Sequence, residues 1–274
     1  LGESITAFQT FIKEYPNSKY IDKVYALMAD MYVNSKNYQA ALEALEEVQR
    51  PNDKIEQTKQ YLRYQLAADT YLQGKMGETL KWGEQVIKNS NQSTNYQTET
   101  YYLSAEAHYH LNQYDQVLSR LSAYEAQPNY AQSPNKIAAQ YLKAYTYFNL
   151  KDYTTAQRTY SAYMTMIDRG DKTYPDALNR IGDCHFHSRQ FEQAIQAYAQ
   201  VATIGGIGAD YALLQKAYAE GLMHQYDQKV KTLHKLIDDY PKSDLADDAL
   251  YEMARAELQM DEHSKAITIY NKLL

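Results

Sequence analysis

Apolar residues recur along this chain with the spacing of one helix face, and the helical run itself recurs. From Ser4 the sequence SITAFQTFI has apolar side chains at offsets +1, +4 and +7, a single stripe on a helix of about 3.6 residues per turn. Comparable runs begin at Ala41, Thr79, Val117, Ala156, Ala194, Lys229 and Ala266, 35–39 residues apart. The +7 position reads Phe11, Val48, Val86, Tyr124, Tyr163, Val201, Leu236 and Leu273. Gln157 interrupts the +1 column and Gly83 the +4 column. One helix is therefore predicted eight times.

Between successive copies lies a second helical pattern whose constant feature is one small residue: Ala29, Ala68, Ala105, Ala144, Gly182, Ala217 and Ala254. A small side chain there lets two helix backbones approach closely. Four residues earlier stands Tyr25, Tyr64, Tyr101, Leu178, Leu213 or Leu250, with Gln140 as the exception. Pro16, Pro51, Pro128, Pro134, Pro175 and Pro241 fall between the predicted helices, where a missing N–H costs nothing. Ser18, Asp22, Ser243 and Asp247 are candidate caps. A repeat of this period predicts stacked helix pairs, with residues 1–14 forming a second-type helix that lacks a first-type partner.

These residues resemble the tetratricopeptide repeat (TPR). The segments that carry the likeness are YALMADMYVNSKNYQAALEAL (25–45), YTYFNLKDYTTAQRTY (145–160) and IGDCHFHSRQFEQAIQAY (181–198). The resemblance implies an all-α, right-handed superhelical solenoid of antiparallel helix pairs. It would be a single array over residues 1–274, with the orphan helix followed by about seven pairs. Two copies also carry a Tyr-Pro-x-Ser spacer, Tyr15–Ser18 and Tyr240–Ser243. That spacer is similar to envelope TPR proteins of Gram-negative bacteria, of the Tol-Pal-associated and BamD-like types. It implies a periplasmic or outer-membrane-associated location. Phe8 and Phe11 at one end, and Ile267, Tyr270 and Leu273 at the other, would face missing neighbours. The expectation is a segment of a longer array, able to self-associate through its terminal repeats.

Composition narrows the function classes. Of 274 residues 29 are tyrosine, against five Phe and one Trp, so nearly every ring carries a hydroxyl. A hydrophobic fraction of 45% with 23% charged residues is globular usage. The net charge of −6 argues against nucleic acid as the partner, because neutralising phosphates needs a basic face. Mean hydropathy is −0.67 and no run approaches the ~18 apolar residues of a spanning helix. Residues 238–262 hold nine acids and two bases, a candidate docking patch for a basic partner and more simply a solvated acidic face.

Catalytic constellations are not legible. Cys184, His185 and His187 lie together in GDCHFHSR, but zinc needs three or four ligands, and nothing orients a base for a nucleophile. Gly205, Gly206 and Gly208 precede a helix, yet no strand comes before them and no phosphate-binding lysine follows. They read as a tight inter-repeat turn. Neither a metal nor a cofactor is predicted, and the chain reads as non-enzymatic.

The resemblance also implies which side chains face the inner groove. Aligned on the small column, one inward column is Ala26, Gln65, Tyr102, Tyr141, Asn179, Leu214 and Tyr251; the next holds Asp30, Asp69, Glu106, Tyr145, Asp183, Tyr218 and Arg255. A third is Val33, Leu72, Tyr109, Phe148, Phe186, Gly221 and Leu258. The lysines and asparagines by which some TPR domains clamp a terminal carboxylate are missing from the first two columns, apart from Asn179. The candidate partner-binding residues are Tyr102, Tyr109, Tyr141, Tyr145, Phe148, Phe186, Tyr218 and Tyr251. Tyrosine offers a large rigid surface and a hydrogen-bonding hydroxyl at low entropy cost. The expected function is binding of a protein or peptide partner. A carbohydrate or cell-wall glycan is the alternative, since stacked tyrosines and amides also suit sugar rings.

Overall fold

In a computed structural model, which describes residues 2–88 and 95–273, the chain is all-helical, with no strand among the described residues. An unpaired helix α1 (Gly2–Glu14) comes first. Seven pairs follow: α2 (Ile21–Asn34) with α3 (Tyr38–Glu46), α4 (Asp53–Leu72) with α5 (Met76–Lys88), and α6 (Asn95–His110) with α7 (Tyr114–Glu125). The later pairs are α8 (Lys136–Asn149) with α9 (Tyr153–Met164), α10 (Tyr174–His187) with α11 (Phe191–Ile204), α12 (Ala209–Leu222) with α13 (Tyr226–Asp239), and α14 (Ala246–Gln259) with α15 (His263–Tyr270). The chain divides into two compact units, Leu1–Ala139 and Gln140–Leu274.

One constant runs through both units: twelve residues separate the small site of each first helix from a buried site near the start of its partner. The pairs are Ala29 and Ala41, Ala67 and Thr79, Ala105 and Val117, Ala144 and Ala156, Gly182 and Ala194, Ala217 and Lys229, and Ala254 and Ala266. This register corrects one expectation. In α4 the small site is Ala67, fully buried, and not Ala68, which keeps partial exposure. Two adjacent alanines leave the sequence ambiguous. The choice is made by contact with α5, where the Thr70 hydroxyl lies 3.2 Å from that of Thr79. The inward positions assigned to Gln65, Asp69 and Leu72 therefore move back by one residue.

The turn inside each pair is built the same way seven times. The residue seven after the small site has a left-handed backbone: Lys36, Gly74, Asn112, Lys151, Arg189, His224 and Asp261, with φ between 56° and 75°. Its N–H and the next one bond back to two carbonyls of the helix end, as in Lys151 to Phe148 at 2.9 Å and Asp152 to Tyr147 at 3.0 Å. This is the Schellman arrangement, which satisfies carbonyls that a helix terminus would otherwise leave open. Six of these residues carry a side chain at a cost of about 1 kcal/mol each, which the two hydrogen bonds help offset. The glycines at 205, 206 and 208, all with positive φ, make the turn from α11 to α12, and the Gly208 carbonyl accepts a 3.0 Å bond from Asn179.

In the first unit Phe8 and Ile12 of α1 pack on a core of Met28, Leu42, Leu45 and Leu62. In the second unit the cores are richer in tyrosine. Tyr160 and Tyr198 are fully buried, and each occupies the site that is Leu45 or Leu121 in the first unit. Such a ring demands room from its partner helix. A Cβ at Gly182 would come within 2.5–2.9 Å of the Tyr198 ring, which explains glycine in a column of alanines. Gly182→Ala should therefore destabilise the second unit by roughly 1–3 kcal/mol, read as a lower urea midpoint. Gly74→Ala, which strains the left-handed turn, should cost about 1 kcal/mol, whereas Arg189→Gly at the equivalent turn should cost nothing or stabilise.

Candidate functional site

The eight candidate rings have different fates. In the first unit the Tyr102 hydroxyl donates to Glu106 Oε1 at 2.5 Å, and its ring lies 5.9 Å from that of Tyr124. Burial, reinforced by the Glu106 carboxylate, raises the Tyr102 pKa well above a free phenol. Tyr109 pairs with Tyr114 across the turn, with centroids 5.8 Å apart. These two residues belong to one unit; the other six belong to the second.

There Tyr141 and Tyr145 both donate to Asp176 Oδ2, the latter at 2.5 Å, and their rings meet edge to face at 5.0 Å. Asp176 lies on the next first helix, so these hydroxyls tie α8 to α10. The tie continues inward. Arg180 sits 2.7 Å from Asp183, which also accepts from Tyr198 at 2.7 Å and Tyr211 at 2.9 Å. Burial raises the Asp183 pKa, against the pull of Arg180 and the two phenols. The Arg180 guanidinium also lies over the Phe148 and Tyr211 rings, at 5.7 and 5.3 Å. A buried charge held by this many partners is a structural device. The hydroxyls of Tyr141 and Tyr145 are thus spent on packing the repeats, and what these residues can offer a partner is ring surface.

Phe148 and Phe186 stand elsewhere, near the ends of α8 and α10, while Tyr218 holds on α12 the position that Tyr145 holds on α8. Phe148 pairs with Tyr153 and Phe186 with Phe191, both at 5.6 Å, and His187 stacks on Tyr153 at 4.6 Å. Each pair joins the residue four after the small site to the residue nine after it, across the left-handed turn. In the sixth helix pair the first of these partners is Gly221, opposite Tyr226. A cleft of about 420 Å³ opens there, lined by Phe186, Tyr218, Leu222, Tyr226 and, from α13 and α14, Lys229, Glu252 and Arg255. Tyr251 stands outside this lining; it is 49% exposed, with Arg255 over its ring at 5.8 Å.

The charged wall of the cleft is self-contained. Lys229 occupies a column that is otherwise alanine, threonine or valine, and is only 7% exposed. Its Nζ lies 2.5 Å from Glu252 Oε2, and Arg255 Nη1 lies 2.7 Å from Glu252 Oε1. Burial alone would raise the Glu252 pKa; the two cations outweigh it and hold the carboxyl below the ordinary glutamate value. Gly221 and Lys229 are coupled, since a Cβ at 221 would approach the lysine Cδ and Nζ to 3.1–3.2 Å. The sequence pattern marks Lys229 only as the start of a repeat run and Glu252 only as part of the acidic stretch 238–262, and it gives Leu222 and Tyr226 no role. The available signals were the lysine in a small-residue column and the glycine in an otherwise bulky one.

Other candidate chemistry is accounted for by packing. Cys184 is 1% exposed, and burial pushes its thiol up to about 12, the opposite of an activated nucleophile. His185 Nδ1 bonds Gln190 Oε1 at 2.7 Å, the same pairing that His108 makes with Gln113. Among the described residues no three His, Cys, Asp or Glu side chains gather as a metal site. No described helix is long and apolar enough to cross a membrane.

Comparison with known proteins agrees with this architecture. Residues 211–243 and 248–274 match one tetratricopeptide-repeat profile, and residues 22–50 and 175–204 match another. These segments are tetratricopeptide repeats, and the fold is that of a TPR solenoid. Among solved structures, the chain is similar to the C-terminal part of a TPR repeat-containing protein from Cytophaga hutchinsonii. The identity is 16% and the TM-score 0.63, over 90% of this chain and 93% of that one. It is similar to the apo form of RapI, at 11% identity and a TM-score of 0.60, over 92% and 75% of the two chains. A MamA fragment from Desulfovibrio magneticus aligns at 15% identity and a TM-score of 0.53, over 66% and 95%. No curated protein matches the chain in sequence.

The Lys229–Glu252 pair makes a pH prediction. Because the folded-state pKa of Glu252 is depressed, its contribution is fully present above the ordinary glutamate value and is lost as pH falls from there through the depressed folded-state value. Glu252→Gln should lower stability by roughly 3 kcal/mol at pH 7, because it leaves a buried lysine unpaired. Below that depressed value the variant and the parent should converge in Tm.

Proposed function

We propose that the chain is a non-catalytic scaffold that binds a protein or peptide partner along the inner faces of its first helices. The observation that carries this reading is the cleft beside Gly221: a recess on a TPR solenoid, edged by the exposed apolar side chain of Leu222 and the rings of Phe186, Tyr218 and Tyr226. Rigid rings around a partly charged recess suit a polypeptide, which supplies both apolar anchors and hydrogen-bonding groups. The ring surfaces of Tyr102 and Tyr109 in the first unit, and of Tyr141, Tyr145, Phe148 and Tyr251 in the second, extend the same kind of surface within their own units.

The buried, high-pKa thiol of Cys184 and the structural use of Asp176, Arg180 and Asp183 support the non-catalytic part of the reading. The chain operates in the bacterial envelope, in the periplasm or at the outer membrane. This location is supported by the two Tyr-Pro-x-Ser spacers, in which Ser18 and Ser243 each accept a 3.2 Å bond from the backbone two residues on. Fractionation of the native host would place the protein with envelope proteins, and a cytosolic pool would refute the location.

Peptide display and a glycan array, run on the same protein, test the main reading. Peptides should be captured, and Tyr218→Ala should weaken them by about 2 kcal/mol or more if it is a central anchor. Binding of glycans without peptides would overturn it in favour of carbohydrate recognition.

A further inference from the structure

In three successive helix pairs two rings meet across the turn, at the positions that Gly221 and Tyr226 hold in the sixth. Tyr109 with Tyr114, Phe148 with Tyr153, and Phe186 with Phe191 each set two rings 5.6–5.8 Å apart across the turn. Such pairs are favourable beyond the area they bury. The sixth pair has Tyr226 in the second position and Gly221 in the first, so one ring of the two is absent. The Lys229 stem lies directly beside Gly221, and the cleft opens next to it, lined also by Phe186, Tyr226, Ala256 and Gln259.

We propose that this cleft receives an aromatic side chain of a partner polypeptide, which completes the missing ring pair against Tyr226. The proposal rests on the peptide-binding reading above and names the group that the site selects. Size fits: about 420 Å³ lies within the ordinary range of small-ligand recesses, roughly 300–1,000 Å³. Charge also fits. The lining holds two cations, Lys229 and Arg255, against one carboxylate, and both Glu252 oxygens are already taken by them. The wall is therefore net positive, which complements the negative face of an aromatic ring. The Arg255 guanidinium stands at the edge of the cleft, 57% exposed, bonded to Glu252 by one nitrogen and already lying over the Tyr251 ring at 5.8 Å. Leu222, 53% exposed at the rim, supplies the apolar edge.

The test uses the whole chain, methyl-labelled at leucine and alanine, titrated with N-acetyl-phenylalanine amide, its cyclohexylalanine analogue and N-acetyl-leucine amide. The phenylalanine probe should move the Leu222 and Ala256 methyl resonances by ring current. It should bind about threefold more tightly than the cyclohexyl analogue, since only an aromatic face gains from the cations. Gly221→Phe, which supplies the ring internally, should abolish the response. If that variant proves unfolded by thermal melting, Arg255→Gln serves instead and should erase the preference for the aromatic probe. No response at Leu222 and Ala256, or equal binding of the cyclohexyl probe, overturns the proposal even if displayed peptides bind elsewhere on the chain. A response to the probe, with no displayed peptide competing for it, overturns the polypeptide partner and with it the wider reading.

Discussion

Close approach of two helix backbones at one small residue is the contact on which the rest of this structure depends. It brings the first helix of each pair against the site twelve residues later, and so sets the turn between them. With the helix ends that near, the connection must be short, and it is closed by a left-handed residue whose neighbours return hydrogen bonds to the helix end. The positions four and nine after the small site are then forced to face each other across the turn. Packing, turn and cleft are successive consequences of one spacing.

The cleft follows from two departures in that scheme. Lysine replaces a small residue at position 229, and glycine replaces a bulky one at 221. The two are coupled: the lysine stem lies in the room that glycine leaves, and the buried ammonium pairs with the Glu252 carboxylate from the following helix. Together they convert a packed ring pair into an open recess with a charged wall. At Gly182 the space that glycine leaves is filled instead by the Tyr198 ring.

The tyrosine content has a divided explanation. Some rings serve as core residues, Tyr160 and Tyr198 where other repeats have leucine. Others fasten one repeat to the next through their hydroxyls, as Tyr141 and Tyr145 do on Asp176. Periodicity identifies the columns that hold these rings, because it reports which face of a helix a residue occupies. It is silent on where a phenol's proton goes, since Asp176 lies 31 residues from Tyr145 and belongs to another repeat.

By itself the sequence determined the helices, their pairing, and the small column at six of seven sites, because those depend on local periodicity and on spacings within one repeat. Tertiary structure alone decided the seventh, where Ala67 rather than Ala68 meets α5. It also decided which candidate rings are bound into the Asp176 and Asp183 networks, and that Phe186 and Tyr218 border a common cleft while Tyr251 does not. The reason is the same in each case. A choice between adjacent alanines, a hydroxyl's partner and a missing ring are all settled by what the neighbouring helix presents, and that neighbour is distant in sequence.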